Sequence, residues 1–70
     1  MKPNMLAIGT EVRWYSLPDR ETVFGIVREH FTASTPHTWH KVEVTVGSRF
    51  AGGTNPGEYR CVPRHLLDVA

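Results

Sequence analysis

Apolar and polar residues alternate along several short stretches of the chain, and no long window keeps the periodicity of a helix. Alternation with a period of two is typical of a β-strand that has one buried and one solvent-facing side. A single helical turn is predicted just after Val62, because Pro63 suits the first helical position. The sequence therefore predicts an all-β protein with five strands, over residues 9–15, 23–31, 39–46, 58–62 and 67–69.

The stretch Val23–Phe31 is the longest apolar run in the chain, and Gly25 lies within it. A glycine inside a strand is typical of a sharp bend or of a second backbone that approaches closely. Two orientations of this strand are open, and a bulge at the glycine would switch between them. In the first, Gly25 and Val27 face the core and leave Phe24 and Ile26 on the outer face. In the second, Phe24 and Ile26 are buried. We expect the first.

The same alternation is found in the other strands. Val12 and Trp14 are predicted to fill the core, and Val42, Val44 and Val46 are predicted to line one face of the third strand. Residues 1–7 are predicted to form a loose N-terminal leader, and Pro18-Asp19 a turn between the first two strands. Residues 47–57 contain four glycines and are predicted to form a long flexible connection.

The length of 70 residues predicts a single domain over 1–70, with a core of marginal size. Cys61 is the only cysteine and excludes an internal disulfide, so association with another chain is a possible source of stability. The net charge of +1 does not indicate a strongly basic nucleic-acid-binding protein. No apolar run approaches the roughly 18 residues of a membrane helix, and the N-terminus lacks a signal-peptide pattern, so we expect a soluble, cytoplasmic protein.

The order of these elements resembles an SH3-like small barrel, a plan shared by Tudor-type and KOW-type modules. The resemblance implies a five-stranded barrel with a one-turn helix before the last strand. It covers roughly residues 8–69, and its motifs are short, so they point to a fold and not to a function. The motifs are Gly9-x-x-Val12, Gly25-x-Val27, Lys41-Val42-x-Val44 and Val62-Pro63-x-x-Leu66-Leu67.

The chain also resembles the plasmid-borne type II dihydrofolate reductases, which are small SH3-like barrels that assemble around a central pore. That family's functional signature, Val-Gln-Ile-Tyr before the proline, is replaced here by Tyr59-Arg60-Cys61-Val62, and Trp14-Tyr15 stand where the family has lysines. The resemblance implies a shared architecture without the reductase activity, because the pore-lining glutamine and tyrosine are missing. It is carried by Gly9-Thr10-Glu11-Val12-Arg13, by Gly25-Ile26-Val27, and by Pro63 with Leu67-Asp68.

Candidate catalytic and metal-binding residues are few. Cys61 lies in a strand pattern and is predicted to be a small apolar core residue rather than a nucleophile. His37 and His40 have metal-like spacing, but zinc takes four ligands, or three with a water, so we expect surface histidines. The carboxylates are predicted to be solvated charges, mostly on strands. The sequence predicts no catalytic residue, no metal and no cofactor.

Arginine and aromatic residues supply the best candidate for a binding surface. One alternative is that the aromatic residues belong to the core and that the arginines form ion pairs with acidic neighbours. Otherwise, this combination is enriched at protein interfaces, including self-association, and it also holds single-stranded nucleic acid, here through Arg49 and Phe50. We expect a non-enzymatic binding module that acts on a protein partner or on itself, with nucleic acid and a small oligomeric reductase-like enzyme as alternatives. The predicted surface comprises Arg13, Tyr15, Phe24, Arg28, Arg49, Phe50 and Arg60.

Overall fold

A computed structural model describes residues 5–32, 38–49 and 53–70 of the chain. The described part is all-β, and it confirms the five predicted strands and the helical turn before the last one. Among the described ranges, no helix has the length and apolar character that a membrane span requires. The elements are β1 (Glu11–Ser16), β2 (Glu21–Thr32), β3 (Thr38–Val46), β4 (Tyr59–Pro63), the 3-10 helix η1 (Arg64–Leu66) and β5 (Asp68–Val69).

All five strands belong to one antiparallel sheet with the order β4-β3-β2-β1-β5. The sheet is not closed into the barrel that the sequence predicted. The edge strand β5 is short and pairs only with Val12 and Arg13 of β1. In the described structure, β4 has a strand neighbour on one side only, and the end of β1 extends past β5 without a partner on that side.

The core lies on one face of the sheet. On β2, Val23 and Val27 are fully buried, while Phe24 and Ile26 on the opposite, outer face are half-buried. This confirms the expected orientation of the strand around Gly25. The complete core cluster is Val12, Trp14, Val23, Val27, Val42, Val44, Val62 and Leu67.

Gly25 lies at a close approach of β2 to β3. A Cβ atom at this position would lie 2.4 Å from Val42 Cγ1 and 2.6 Å from the carbonyl oxygen of Glu43. No side chain fits in that space without moving the neighbouring strand. The glycine therefore allows the close backbone approach that its place in the strand predicted.

A bulge near the end of β3 corrects the prediction for Val46. Val44 pairs with Gly25, but Val46 pairs with Phe24, so Thr45 is an extra residue that interrupts the alternation. Residues directly opposite in an antiparallel pair lie on the same face. Val46 therefore lies on the outer face with Phe24, and it is exposed instead of continuing the buried row of Val42 and Val44.

The prediction of surface histidines is wrong for His40, which is fully buried. His40 shares the core-facing side of β3 with Val42 and Val44. Its Nε2 atom accepts a hydrogen bond from the N–H of Leu6 (3.0 Å), and His30 Nε2 bonds to the carbonyl oxygen of the same residue. The two histidines thus hold both polar groups of one peptide residue in the segment before β1. His37 lies outside the described residues.

Candidate binding groove

A groove of about 400 Å³ lies between the end of β1 and the edge strand β4. We call it the β1–β4 groove. Trp14 and Val62, both core residues, form part of its lining.

Apolar side chains around the β1–β4 groove remain in contact with solvent. Tyr15 is 58% exposed, Leu17 in the β1–β2 turn is 77% exposed, and Leu66 of η1 is 53% exposed. Pro18 and Pro63 also line the groove. Isolated exposed apolar residues are common on protein surfaces, but a group of them around a concave site is typical of a ligand-binding surface.

Asp19 fixes one end of the groove by linking the β1–β2 turn to the chain before β4. Its carboxylate accepts hydrogen bonds from Ser16 Oγ (2.7 Å), Thr54 Oγ1 (2.6 Å) and the Thr54 N–H (3.1 Å). The hydroxyl of Thr54, followed by that of Ser16, lowers the pKa of Asp19 because both stabilise the charged form. Asp19 is buried, in contrast to the solvated carboxylate that the sequence predicted.

Arg60 lies at the same end of the groove and is already engaged within its own strand. Its Nη2 atom lies 3.2 Å from Glu58 Oε2, and its Nη1 atom donates to the carbonyl oxygen of Tyr59 (3.2 Å). In the sheet, Arg60 is paired with the core residue Val42, so it does not lie on the outer face with the other predicted arginines. Its positive charge makes a smaller contribution to the lowered pKa of Asp19.

Cys61 is exposed and lines the groove, so the prediction that it is a core residue is wrong. The sheet register explains the difference. Cys61 lies opposite Lys41 and shares its face, whereas the next residue, Val62, lies opposite His40 and enters the core. The strand β4 lies where the alternation predicts it, but its buried residue is Val62.

The described residues of the predicted binding surface lie on the outer face and around the β1–β4 groove. Arg13 lies directly opposite Phe24 on the outer face. Tyr15 shares that face by the alternation of β1, and it also lines the groove. Arg28 lies outside the groove lining, where its Nε atom forms a salt bridge of 3.0 Å with Glu43. Arg60 lines the groove but lies on the core-facing side of β4.

The loop pair in the prediction is only partly described. Arg49 is exposed, and its backbone N–H donates to Glu21 Oε1 (2.6 Å). Phe50 lies outside the described residues. Arg28 and Arg60 each form a salt bridge with a glutamate, which agrees with the alternative that these arginines pair with acidic neighbours.

Leu17, Pro18 and Leu66 are groove residues that the sequence reading did not single out. Leu17 and Pro18 could have been identified from the local sequence. Leu17-Pro18 is an apolar pair inside a turn whose other residues are polar, and such a turn gives a leucine no core to enter. The position of Leu66 opposite that turn depends on the tertiary fold and has no local signal.

Asp19 supplies the one carboxylate among the described residues that line the β1–β4 groove. Within the described ranges, no group of three or more His, Cys, Asp or Glu side chains could hold a metal ion. The Asp19 carboxylate already accepts three hydrogen bonds. What the groove offers a ligand is mainly exposed apolar side chains.

The chain was compared with known proteins at three levels. No protein-family model, no curated protein and no solved structure matches it.

Proposed function

We propose that this protein is a non-enzymatic binding module that holds a peptide segment of a protein partner in the β1–β4 groove. The observation that carries the proposal is the exposure of Tyr15, Leu17 and Leu66 around a groove of about 400 Å³. This volume lies within the range of small ligand sites. Apolar side chains on a concave surface are stabilised when a ligand removes them from water, by about 25 cal/mol per Å² of apolar area.

The charges of the domain favour a protein partner over nucleic acid. Arg28 and Arg60 each form a salt bridge with a glutamate, so part of their charge is already balanced. A surface for phosphate groups needs positive charge that is not balanced in this way. The apolar rim of the groove instead suits the side chains of a peptide.

We also propose that the open sheet is a variant of the SH3-like plan. Its support is the antiparallel order β4-β3-β2-β1-β5 together with the 3-10 helix η1 before the last strand. Grooves lined by aromatic residues bind extended peptides in several small domain types, SH3 domains among them. The β1–β4 groove is suited to the same task.

The experiment is a selection of random peptides displayed on phage against the purified, immobilised protein. Enriched peptides are synthesised with a fluorophore, and their affinities are measured by fluorescence polarisation. We expect Leu17→Asp to weaken binding at least about tenfold, because a charge replaces the most exposed apolar residue of the rim. Val46→Asp is the matched control, since Val46 is also an exposed apolar residue but lies on the outer face.

The proposal would be overturned by either of two results. One is that no peptide is enriched over a blank surface. The other is that Leu17→Asp and Val46→Asp bind the enriched peptides equally well, which would place the binding surface elsewhere.

A further inference from the structure

The hydrogen-bond pattern of β4 shows which of its main-chain groups face away from the sheet. The N–H of Val44 donates to the carbonyl oxygen of Glu58 (2.8 Å). In an antiparallel ladder, hydrogen-bonded pairs recur at every second residue. Arg60 and Val62 therefore direct their main-chain groups towards β3, opposite Val42 and His40. The intervening residues of β4, with Cys61 at the centre, direct their N–H and C=O groups to the edge that has no strand neighbour in the described part of the chain.

On the other side of the groove, the main-chain groups of β1 also alternate in direction. The N–H of Ala70 donates to the carbonyl oxygen of Glu11 (2.9 Å), so residues 11, 13 and 15 direct their main-chain groups towards the β5 side. The β5 strand pairs with Val12 and Arg13 and extends no further. The N–H and C=O of Tyr15 therefore point past the end of β5. Tyr15 and Cys61 both line the β1–β4 groove.

We propose that the ligand of the β1–β4 groove is one extended peptide strand that is inserted between β4 and the end of β1. The strand runs antiparallel to β4, with a hydrogen-bonded pair at Cys61, and its other edge faces Tyr15. This inference rests on the proposed function and specifies how the peptide is bound. An extended backbone presents N–H and C=O groups along both edges, so a single strand can serve both sides of the groove.

Two further groups of β4 agree with a pairing centred on Cys61. The carbonyl oxygen of Tyr59 already accepts a hydrogen bond from Arg60 Nη1, and Pro63 has no N–H to donate. The carbonyl of Pro63, the N-cap of η1, accepts the first hydrogen bond of that helix. The N–H and C=O of Cys61 are therefore the groups of β4 on which pairing with a partner strand centres.

The inserted strand must be a single chain and not the edge of a second folded copy. The groove has two walls, formed by β4 on one side and by residues 15–19 on the other. In a folded sheet the next strand lies about 4.8 Å away. A second copy that paired with β4 would bring its own β3 into the wall formed by Tyr15 and the β1–β2 turn. An isolated extended segment has no such neighbour.

The side chains of the inserted strand alternate between the two faces of the sheet. Those on the core-facing side meet Trp14 and Val62 in the groove. The partner segment is therefore expected to carry apolar residues at every second position near its centre, and polar residues between them.

The test uses the peptides enriched by phage display against the intact protein. Each peptide is synthesised with a single N-methyl group at one backbone nitrogen at a time, which removes one N–H donor without changing the side chain. We expect N-methylation at central positions, whose N–H groups face Cys61 on one edge and Tyr15 on the other, to weaken binding at least about tenfold, and N-methylation at the peptide ends to change it less than twofold. Central positions that tolerate N-methylation as well as the ends do would overturn the inserted-strand geometry.

A second comparison tests the protein side of the same hydrogen bonds. Cys61→Pro removes the N–H at the centre of the edge, and proline is tolerated on an edge strand where the N–H faces outward. Cys61→Ala measures the contribution of the thiol alone. We expect Cys61→Pro to bind at least about tenfold more weakly than Cys61→Ala, with the same circular dichroism spectrum. Equal affinities of the two variants would overturn the inference.

The failure of this inference can be told apart from that of the proposed function. Enriched peptides that bind in a Leu17-dependent manner but are insensitive to N-methylation would leave the groove as the binding site and overturn only strand insertion. Light scattering is the third readout. A dimer of the protein alone that Cys61→Pro dissociates would show that the edge of β4 pairs with a second copy, against the inference.

Discussion

His30 and His40 lie directly opposite each other on β2 and β3, with ring centroids 5.1 Å apart in an edge-to-face arrangement. Together they bond the N–H and the carbonyl oxygen of Leu6. Because His40 accepts the Leu6 N–H at Nε2, that nitrogen must be unprotonated. The attachment of the N-terminal segment to the sheet therefore depends on a neutral His40.

This arrangement predicts that the protein loses stability in mild acid. Burial lowers the pKa of His40, and the positive charges of His30 and Arg64 add to the effect. The unfolded chain binds a proton near the ordinary value of 6.5, whereas the folded chain does so only at lower pH. The contribution of His40 is therefore fully present above pH 6.5 and falls as the pH drops below that value. Urea unfolding between pH 7.5 and pH 5.0 measures it.

The control for this prediction is His40→Gln. The glutamine amide oxygen can accept the Leu6 N–H, but the side chain does not titrate. We expect the variant to lose less stability than the wild type over the same pH range. A loss of the same size in both proteins would show that other groups cause the acid sensitivity.

A second prediction concerns Gly25→Ala. The new methyl group would lie 2.4 Å from Val42 Cγ1 and 2.6 Å from the Glu43 carbonyl oxygen, so β2 and β3 must move apart. Overpacking of a core usually costs about 1–3 kcal/mol. We expect a loss of unfolding free energy in that range, measured by urea denaturation. Thr22→Ala, at an exposed position of the same strand, is expected to change it by less than about 0.5 kcal/mol.

A third prediction concerns Asp19→Asn, which removes the charge that accepts hydrogen bonds from Ser16 and Thr54. We expect a lower melting temperature in the variant than in Asp68→Asn, because Asp68 is exposed. The pKa of Asp19 is lowered below its ordinary value of 3.8, so its contribution is present above pH 3.8 and is lost in stronger acid. Equal melting temperatures of the two variants at pH 7 would show that the link to Thr54 is not needed for stability.

The strands and the orientation of β2 could be predicted from the sequence because both depend on local alternation. Val23 and Val27 are buried as expected, and Gly25 lies at a close approach of two backbones. Alternation no longer predicts which residues are buried once a bulge adds a residue to a strand. At Thr45 the extra residue turns Val46 to the outer face, and no feature of the local sequence marks that position.

The errors at His40 and Cys61 have a different cause. Each residue was assigned by the usual preference of its type, although its position in the strand decides its environment. His40 belongs to the same face as Val42 and is therefore buried, and Cys61 belongs to the same face as Lys41 and is therefore exposed. The groove could not be predicted because its lining comes from separate parts of the chain, residues 14–19, 53–54, 60–63 and 66, which only the tertiary fold brings together.

A fourth prediction addresses nucleic acid as the alternative partner. Arg28 and Arg60 are paired with glutamates, which leaves little positive charge at either place for phosphate groups. We expect fluorescence anisotropy to show no binding of a short single-stranded oligothymidine at low salt. Binding that weakens steeply as salt rises would contradict this, because released counterions give phosphate contacts that signature.

The fifth prediction concerns chemical modification of the Cys61 thiol in the groove. The thiol is exposed, and the chain has no other cysteine. We therefore expect one thiol per chain to react with Ellman's reagent in the folded protein, at a rate close to that in urea. A bulky maleimide at Cys61 would then occupy the β1–β4 groove, and we expect it to weaken the binding of enriched peptides at least about tenfold.

The control for labelling places the same maleimide outside the groove. Thr45→Cys in a Cys61→Ser background offers an exposed thiol on β3 that is not part of the groove lining. Labelled and unlabelled forms of this variant are expected to have the same peptide affinity, because Thr45 lies at the end of β3 near Phe24. If both labels block binding equally, the loss comes from the bulk of the reagent. If neither does, the peptide does not lie along Cys61, and the inserted strand is excluded together with the groove as its site.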